Sequence, residues 1–198
     1  MVQNTRQRLL DAGLRLLLAH GYNDLGIQML LRETGIPKGS FYHHFASKED
    51  FALQVVDQYM AEVHGALDAC LGDETLAPLD RVRRFFELSI QKYRTEGYLG
   101  CLLGGLGQEL SGVSERFRAR IEGCLATIAA RIAVSLEAAA ARGDLPADAD
   151  TRGLADLLVN CWEGAALRSR LWRDPVPLDK VLDFYFSAVN LKRVGGIS

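Results

Sequence analysis

At 198 residues, 48% apolar and 24% charged, the chain is long enough to bury a substantial core and has the composition of a globular protein. No uninterrupted apolar run approaches the ~18 residues that span a bilayer, and the first residues, Met1 to Arg6, lack an apolar signal region. The expectation is a cytoplasmic protein with no membrane partner. The net charge of −2 conceals an asymmetry. Residues 1–48 hold six basic and three acidic side chains, a balance of +3, which leaves 17 basic and 22 acidic side chains beyond them, a balance of −5. A basic head on an acidic body suits a nucleic-acid reader whose second part does not touch the nucleic acid. The four cysteines, Cys70, Cys101, Cys124 and Cys161, contain no C-x-x-C pair and no Cys/His cluster at zinc spacing. No metal, no cofactor and no disulfide is therefore expected.

A first helix is predicted over about Thr5 to His20. Asn4 is placed to cap it and Gln7 to complete a capping box. Leu9, Leu10, Gly13, Leu16 and Leu17 form its inward stripe, and Gly21 ends it. Ile27, Leu30 and Leu31 then give one buried face of a short second helix. Thr34-Gly35-Ile36 breaks that helix, since glycine takes up positive φ cheaply. Pro37 pre-sets φ for a third helix to about His44. Phe41 and Phe45 face inward; Lys38, Ser40, Tyr42 and His43 face out. Two short helices about a glycine turn have the form of a helix-turn-helix, whose second helix enters a DNA major groove. A cation, a hydroxyl, a phenol and an imidazole suit phosphates and base edges. By pattern alone, a small solvated helix in any all-α protein is as good a reading.

The run K-G-S-F-Y-H-H-F-A-S-K-E from Lys38 to Glu49 resembles the signature of the tetracycline-repressor (TetR) family of bacterial regulators. Upstream, Thr5-Arg6, Leu9-Leu10-Asp11-Ala12 and His20-Gly21-Tyr22 fit it too. The resemblance covers roughly the first quarter of the chain. It implies an all-α protein of about nine helices. A three-helix DNA-binding domain would occupy residues 1–47, and an effector-binding and dimerisation domain residues 48–198. The implied partners are double-stranded operator DNA, a small-molecule effector and a second copy of the chain, held through the last two helices. On this resemblance Thr5 and Arg6 approach the DNA backbone, and Lys38 and Lys48 contact phosphate. Gln28, Ser40, Tyr42 and His43 share backbone and base contacts. The family usually has Ser or Thr just ahead of the first motif helix, where this chain has Leu25-Gly26. Glycine can occupy the N-cap but offers no polar side chain, which weakens the expectation of a phosphate contact from that position.

Ser47 is placed to cap a fourth helix, with Asp50 at the capping-box position, and an apolar face continues from Phe51 to about Cys70. A fifth helix is predicted over about Ala77 to Glu96. Gly97 to Gly107 holds five glycines in eleven residues, which predicts turns or close backbone approach and a short sixth helix after it. It lacks the Gly-Lys-Ser/Thr ending of a phosphate loop. A long Ala-rich seventh helix covers Val113 to Ala141, stopped at Arg142-Gly143-Asp144-Leu145-Pro146. An eighth, capped by Asp148 or Asp150, runs to about Trp172, and a ninth from about Leu178 to Leu191. Both are apolar over wide arcs: Leu154, Leu157, Leu158, Cys161 and Ala165 on one side of the eighth, and Val181, Leu182, Tyr185, Phe186 and Val189 on the ninth. Cys70, Cys124 and Cys161 read as small apolar helix residues. Val194 to Ser198 is expected to fray.

Gly100-Cys101-Leu102-Leu103-Gly104 with Gln108-Glu109-Leu110 is similar to a TetR subgroup that responds to N-ethylmaleimide, other electrophiles or acrylate, although Gly105 stands where that subgroup has Asn. The resemblance associates Cys101 with effector detection. A thiol just before a helix N-terminus is held more as thiolate, the nucleophilic form. Phe86, Tyr93, Trp162 and Trp172 are candidate linings of an effector pocket, and Arg168 a partner for a carboxylate. The competing readings are a constitutive or chromosome-associated DNA-binding factor and a cysteine hydrolase at Cys101. The second lacks a base to orient the thiol, so the expectation is not an enzyme.

Overall fold

A computed structural model describes residues 4–97 and 100–191 of the chain. Tyr98 and Leu99 of the glycine-rich segment, and the Val194–Ser198 tail, lie outside the described residues. The expected all-α fold is found. The described residues form nine helices: α1 (Thr5–Asp24), α2 (Ile27–Thr34), α3 (Lys38–His44), α4 (Lys48–Leu71), α5 (Pro78–Thr95), α6 (Leu102–Leu110), α7 (Glu115–Ala141), α8 (Thr151–Trp172) and α9 (Val176–Leu191). They pack as two units. One comprises Met1–Val63 with Cys101–Glu122, and the other His64–Gly100 with Gly123–Ser198. The unit that holds the helix-turn-helix is therefore larger than residues 1–47, because α6 and the start of α7 pack with it.

In this first unit α1 packs against α2, α3 and α6. Its core is Leu9, Leu10, Leu30, Phe41, Phe45, Phe51, Leu106 and Phe117. Asn4 caps α1 as expected, accepting the Arg6 N–H at 3.1 Å, but Gln7 does not close a capping box. Its amide instead donates to Asp11 and Gln58, both at 2.8 Å, because α4 brings a better partner than the chain's own turn. Ser47 caps α4 by accepting the Asp50 N–H at 3.0 Å. The Asp50 carboxylate reaches back one residue further than a capping box requires, to the Ala46 N–H at 2.9 Å.

The largest departure from the sequence reading is α6. It begins at Leu102, so Gly104, Gly105 and Gly107 are helical rather than part of a turn. Leu102, Leu103, Leu106 and Leu110 are all buried and provide the apolar stripe that the three glycines lack. Packing of that stripe outweighs a propensity cost of about 1 kcal/mol per glycine.

The second unit is built on α5, α8 and α9, with α9 packed on both the others. Phe85, Phe86, Trp162, Leu178, Leu182 and Phe186 are in its core. Tyr185 donates its phenolic hydrogen to the Leu154 carbonyl at 3.0 Å, tying α9 to α8. Arg83 with Asp183 at 2.7 Å and Arg94 with Asp179 at 3.5 Å tie α5 to α9. These pairs are exposed and contribute little. One described helix, α7, is long and apolar enough by length and composition to cross a membrane, although no uninterrupted apolar run is that long. Its apolar residues serve as core: Phe117, Ile121, Ile132 and Leu136 are buried.

Candidate nucleic-acid interface

Helix α3 is fixed from below. Gly35 ends α2 at φ 66°, and its N–H bonds the Leu31 carbonyl at 2.9 Å, so the chain turns sharply without steric cost. Pro37 occupies the N-cap of α3. Phe41 is wholly buried, with ring centroids 5.3 Å from Phe45 and 5.4 Å from Phe51. This aromatic cluster sets the rotation of α3 and so decides which residues leave the core. Lys38, Tyr42 and His43 are exposed and Ser40 is half-buried. The Lys38 ammonium lies 5.9 Å from the Tyr42 ring centroid, so charge and phenol share one patch.

The other sequence-predicted contacts frame that helix. Gln28 is exposed in the first turn of α2, and the N-cap at Gly26 makes no side-chain bond. Thr5 is half-buried and Arg6 exposed at the start of α1. The Arg6 guanidinium donates to Gln54 at 2.5 Å and stands 6.0 Å from the Phe45 ring, which sets the start of α1 beside the end of α3. Lys48 begins α4, with its ammonium 4.3 Å from the Tyr22 ring centroid and 3.5 Å from the Asn23 carbonyl. Burial pulls the Lys48 pKa down, while the charges of Glu109 and Asp24 hold it up.

Cys101 is the N-cap residue of α6 and is half-exposed, with Sγ in hydrogen-bonding contact with Tyr59 Oη at 3.7 Å. Tyr59 was not among the predicted site residues; nothing in its sequence position marks it. Phe86, Tyr93 and Trp162 belong to the second unit, where they are buried together, with Trp162 4.7 Å from Phe86 and 6.0 Å from Tyr93 between ring centroids. Trp172 is half-exposed under the Arg168 guanidinium, 4.8 Å from its ring centroid, and so is not part of that cluster. Among the described residues no group of three or more His, Cys, Asp and Glu is arranged to hold a metal ion.

The last two helices differ from their sequence reading in one respect. Leu158 and Ala165 are buried, but Leu157 and Cys161 are exposed, so the five residues assigned to one side of α8 divide between two. On α9 Phe184, which sequence reasoning passed over, is 77% exposed. Leu154, Leu157, Cys161, Val181 and Phe184 line an apolar groove of about 760 Å³ between α8 and α9. Burial raises the pKa of Tyr185 in this groove strongly, and the negative charge that Cys161 carries as a thiolate adds to the shift.

A helix-turn-helix on a buried aromatic base, with a basic and phenolic outer face and in an all-helical chain, defines a DNA-binding regulator. Residues 9–55 match the family described as bacterial regulatory proteins, tetR family, and residues 78–185 match its tetracyclin repressor-like C-terminal domain. The transcriptional regulator AcuR of Cereibacter sphaeroides is 40% identical over 87% of this chain and 79% of its own. A crystal structure of a TetR regulatory protein from Rhodobacter sphaeroides superposes with a TM-score of 0.88 at 38% identity, covering 91% of this chain and 96% of that one. The Escherichia coli repressor NemR, solved in its reduced form, gives 0.84 at 29% identity over 92% and 95%. The chain belongs to the TetR family of bacterial regulators. It is thus a DNA-binding regulator of the helix-turn-helix type, in a fold that dimerises through its C-terminal helices.

Proposed function

We propose that this protein is a one-component cytoplasmic repressor. It binds a palindromic operator as a homodimer and is released by a small electrophilic, acrylate-like effector that acts at Cys101. Two copies of α3 would enter successive major grooves about one helical turn apart. Lys38 and Lys48, with Thr5 and Arg6, would hold phosphates. Gln28, Ser40, Tyr42 and His43 would divide backbone and base contacts. The exposed apolar face of α8 and α9 supports the dimer, since Leu157, Leu167, Leu171 and Phe184 are too many large apolar groups to leave in water on neighbouring turns.

The observation that carries the effector reading is the position of Cys101: half-exposed at the N-cap of a nine-residue helix, in the same unit as the reading head. The helix dipole there favours thiolate. A thiolate adds to the β-carbon of an electron-poor alkene, forming a C–S bond as the π bond breaks, and the α-carbon takes a proton from water. That a 29% identical relative was solved in a reduced form supports a redox-responsive reading of this chain. The aromatic cluster of Phe86, Tyr93 and Trp162 would supply apolar contacts for an effector of the second unit.

The test is release of operator DNA by N-ethylmaleimide or an acrylate. Cys101→Ser should bind operator normally and ignore the compound, and Cys161→Ser should respond like the wild type. Release that persists in Cys101→Ser assigns the sensor elsewhere. A wild type that never releases is the constitutive DNA-binding factor instead.

A further inference from the structure

Helix α1 is interrupted at Gly21, where φ is 76° and ψ −179°. Such a break frees the N–H groups that follow it from helical bonding. Both are captured by one side chain from another helix. Glu109, in the last turn of α6, accepts the Tyr22 N–H at 2.7 Å through Oε2 and the Asn23 N–H at 2.6 Å through Oε1. A Cβ at position 21 would stand 2.8 Å from Oε2, so the glycine supplies both the bend and the room. The half-buried Tyr22 ring is flanked as well. Lys48 lies 4.3 Å from its centroid and Phe117 meets it edge-on at 5.4 Å. Lys48 also donates to the Asn23 carbonyl at 3.5 Å. The ends of α1 and α6 and the starts of α4 and α7 therefore meet at one elbow, two residues before the turn into α2. The α4 start at this elbow is Lys48 itself, four residues beyond α3.

We infer that Glu109 is a positioning residue for operator binding. Its carboxylate holds the α1 elbow in the angle that presents α2 and α3, and it connects α6, which Cys101 caps, to the reading head. The second half of this statement rests on the proposal that chemistry at Cys101 releases DNA. A carboxylate suits the task because both of its oxygens accept. An amide has one acceptor, and its NH₂ would face a backbone N–H. Glu109→Gln therefore keeps the volume and loses half the clamp, and Glu109→Ser lets water take both donors.

The experiment measures operator affinity by fluorescence anisotropy before and after N-ethylmaleimide, in a Cys161→Ser background where Cys101 is the only cysteine left that is not buried. Helicity by circular dichroism and dimer mass are recorded for each variant. With Glu109→Gln the untreated protein should bind about tenfold more weakly or worse, with helicity and dimer mass unchanged. The ratio of treated to untreated Kd should fall towards one, because the released state is already favoured. Glu109→Ser is the second variant for the same two readings should the glutamine protein fold poorly. Wild-type affinity in both variants, or weaker binding with the ratio intact, overturns the inference, the latter by making Glu109 merely structural. A wild-type ratio of one overturns the Cys101 reading and the transmitting half of this one. The untreated affinities then judge the positioning half alone.

Discussion

Removal of the Lys38 charge should change the salt dependence of operator binding by an amount set in advance. Lys38 is exposed at the first position of α3, and its ammonium rests over Tyr42 rather than on a carboxylate. The helix itself is held by Phe41, which is wholly buried against Phe45 and Phe51, so Lys38→Ala leaves the fold intact. Each phosphate contact contributes about −0.9 to the slope of log K against log salt. A dimer loses two such contacts, so the slope should flatten by ~1.8, and the gap between wild type and variant should change by roughly 60-fold over a tenfold change in salt. Fluorescence anisotropy with the operator duplex between about 50 and 500 mM salt reads this directly. Adding Tyr42→Ala should abolish specific binding while helicity and dimer mass stay unchanged. An unaltered slope in Lys38→Ala, or wild-type affinity in the double variant, would refute the assignment of α3 as the reading helix.

Two further outcomes test the body of the protein. Phe184→Asp places a charge in the exposed α8–α9 face of both protomers and should raise the dimer dissociation constant at least about 30-fold, read by sedimentation, since an anchoring aromatic is worth ~2 kcal/mol or more; an unchanged dimer would move the interface off α9. Tyr185 has its pKa raised by burial above the ordinary value of 10.0. Its stabilising effect is therefore complete below about pH 10 and is lost as pH rises further, because the unfolded state ionises first. Urea midpoints should fall above pH 10 more steeply in the wild type than in Tyr185→Phe, and parallel profiles would deny Tyr185 that role.

The sequence made the reading head legible because its signals were local. Gly35 and Pro37 fix the turn, and Phe41 and Phe45 fix the inward face by spacing alone. Ser47 and Asp50 mark the start of α4. The glycine-rich segment misled for an equally physical reason. Gly104, Gly105 and Gly107 carry low helix propensity, but Leu102, Leu103, Leu106 and Leu110 find a core to enter, and propensity is a weak prior beside burial. Gln7 failed as a capping residue because α4, distant in sequence, offers it Gln58. The Glu109 clamp was invisible for the same reason. It joins residues 86 and 87 positions apart, and only Gly21 hinted that donors there would need a partner.

The α8–α9 face marks the point where periodicity stops being informative and composition takes over. A helix that serves only its own core needs one apolar stripe about 100° wide. On α8, Leu158, Trp162, Ala165 and Ala166 supply that stripe. Leu157, Cys161, Leu167 and Leu171 then form a second, on a face that the chain itself leaves open. Reading both as one side merged an inner face with an outer one, and Cys161 lies on the outer one. The apolar surplus is nevertheless visible in the sequence, because α9 repeats it with Phe184 beside the buried pair of Tyr185 and Phe186. Two consecutive helices with apolar side chains on more of their circumference than one core requires imply a second surface to be covered. On the proposed two-fold operator, another copy of the same chain would be the occupant that also sets the spacing of the two reading helices.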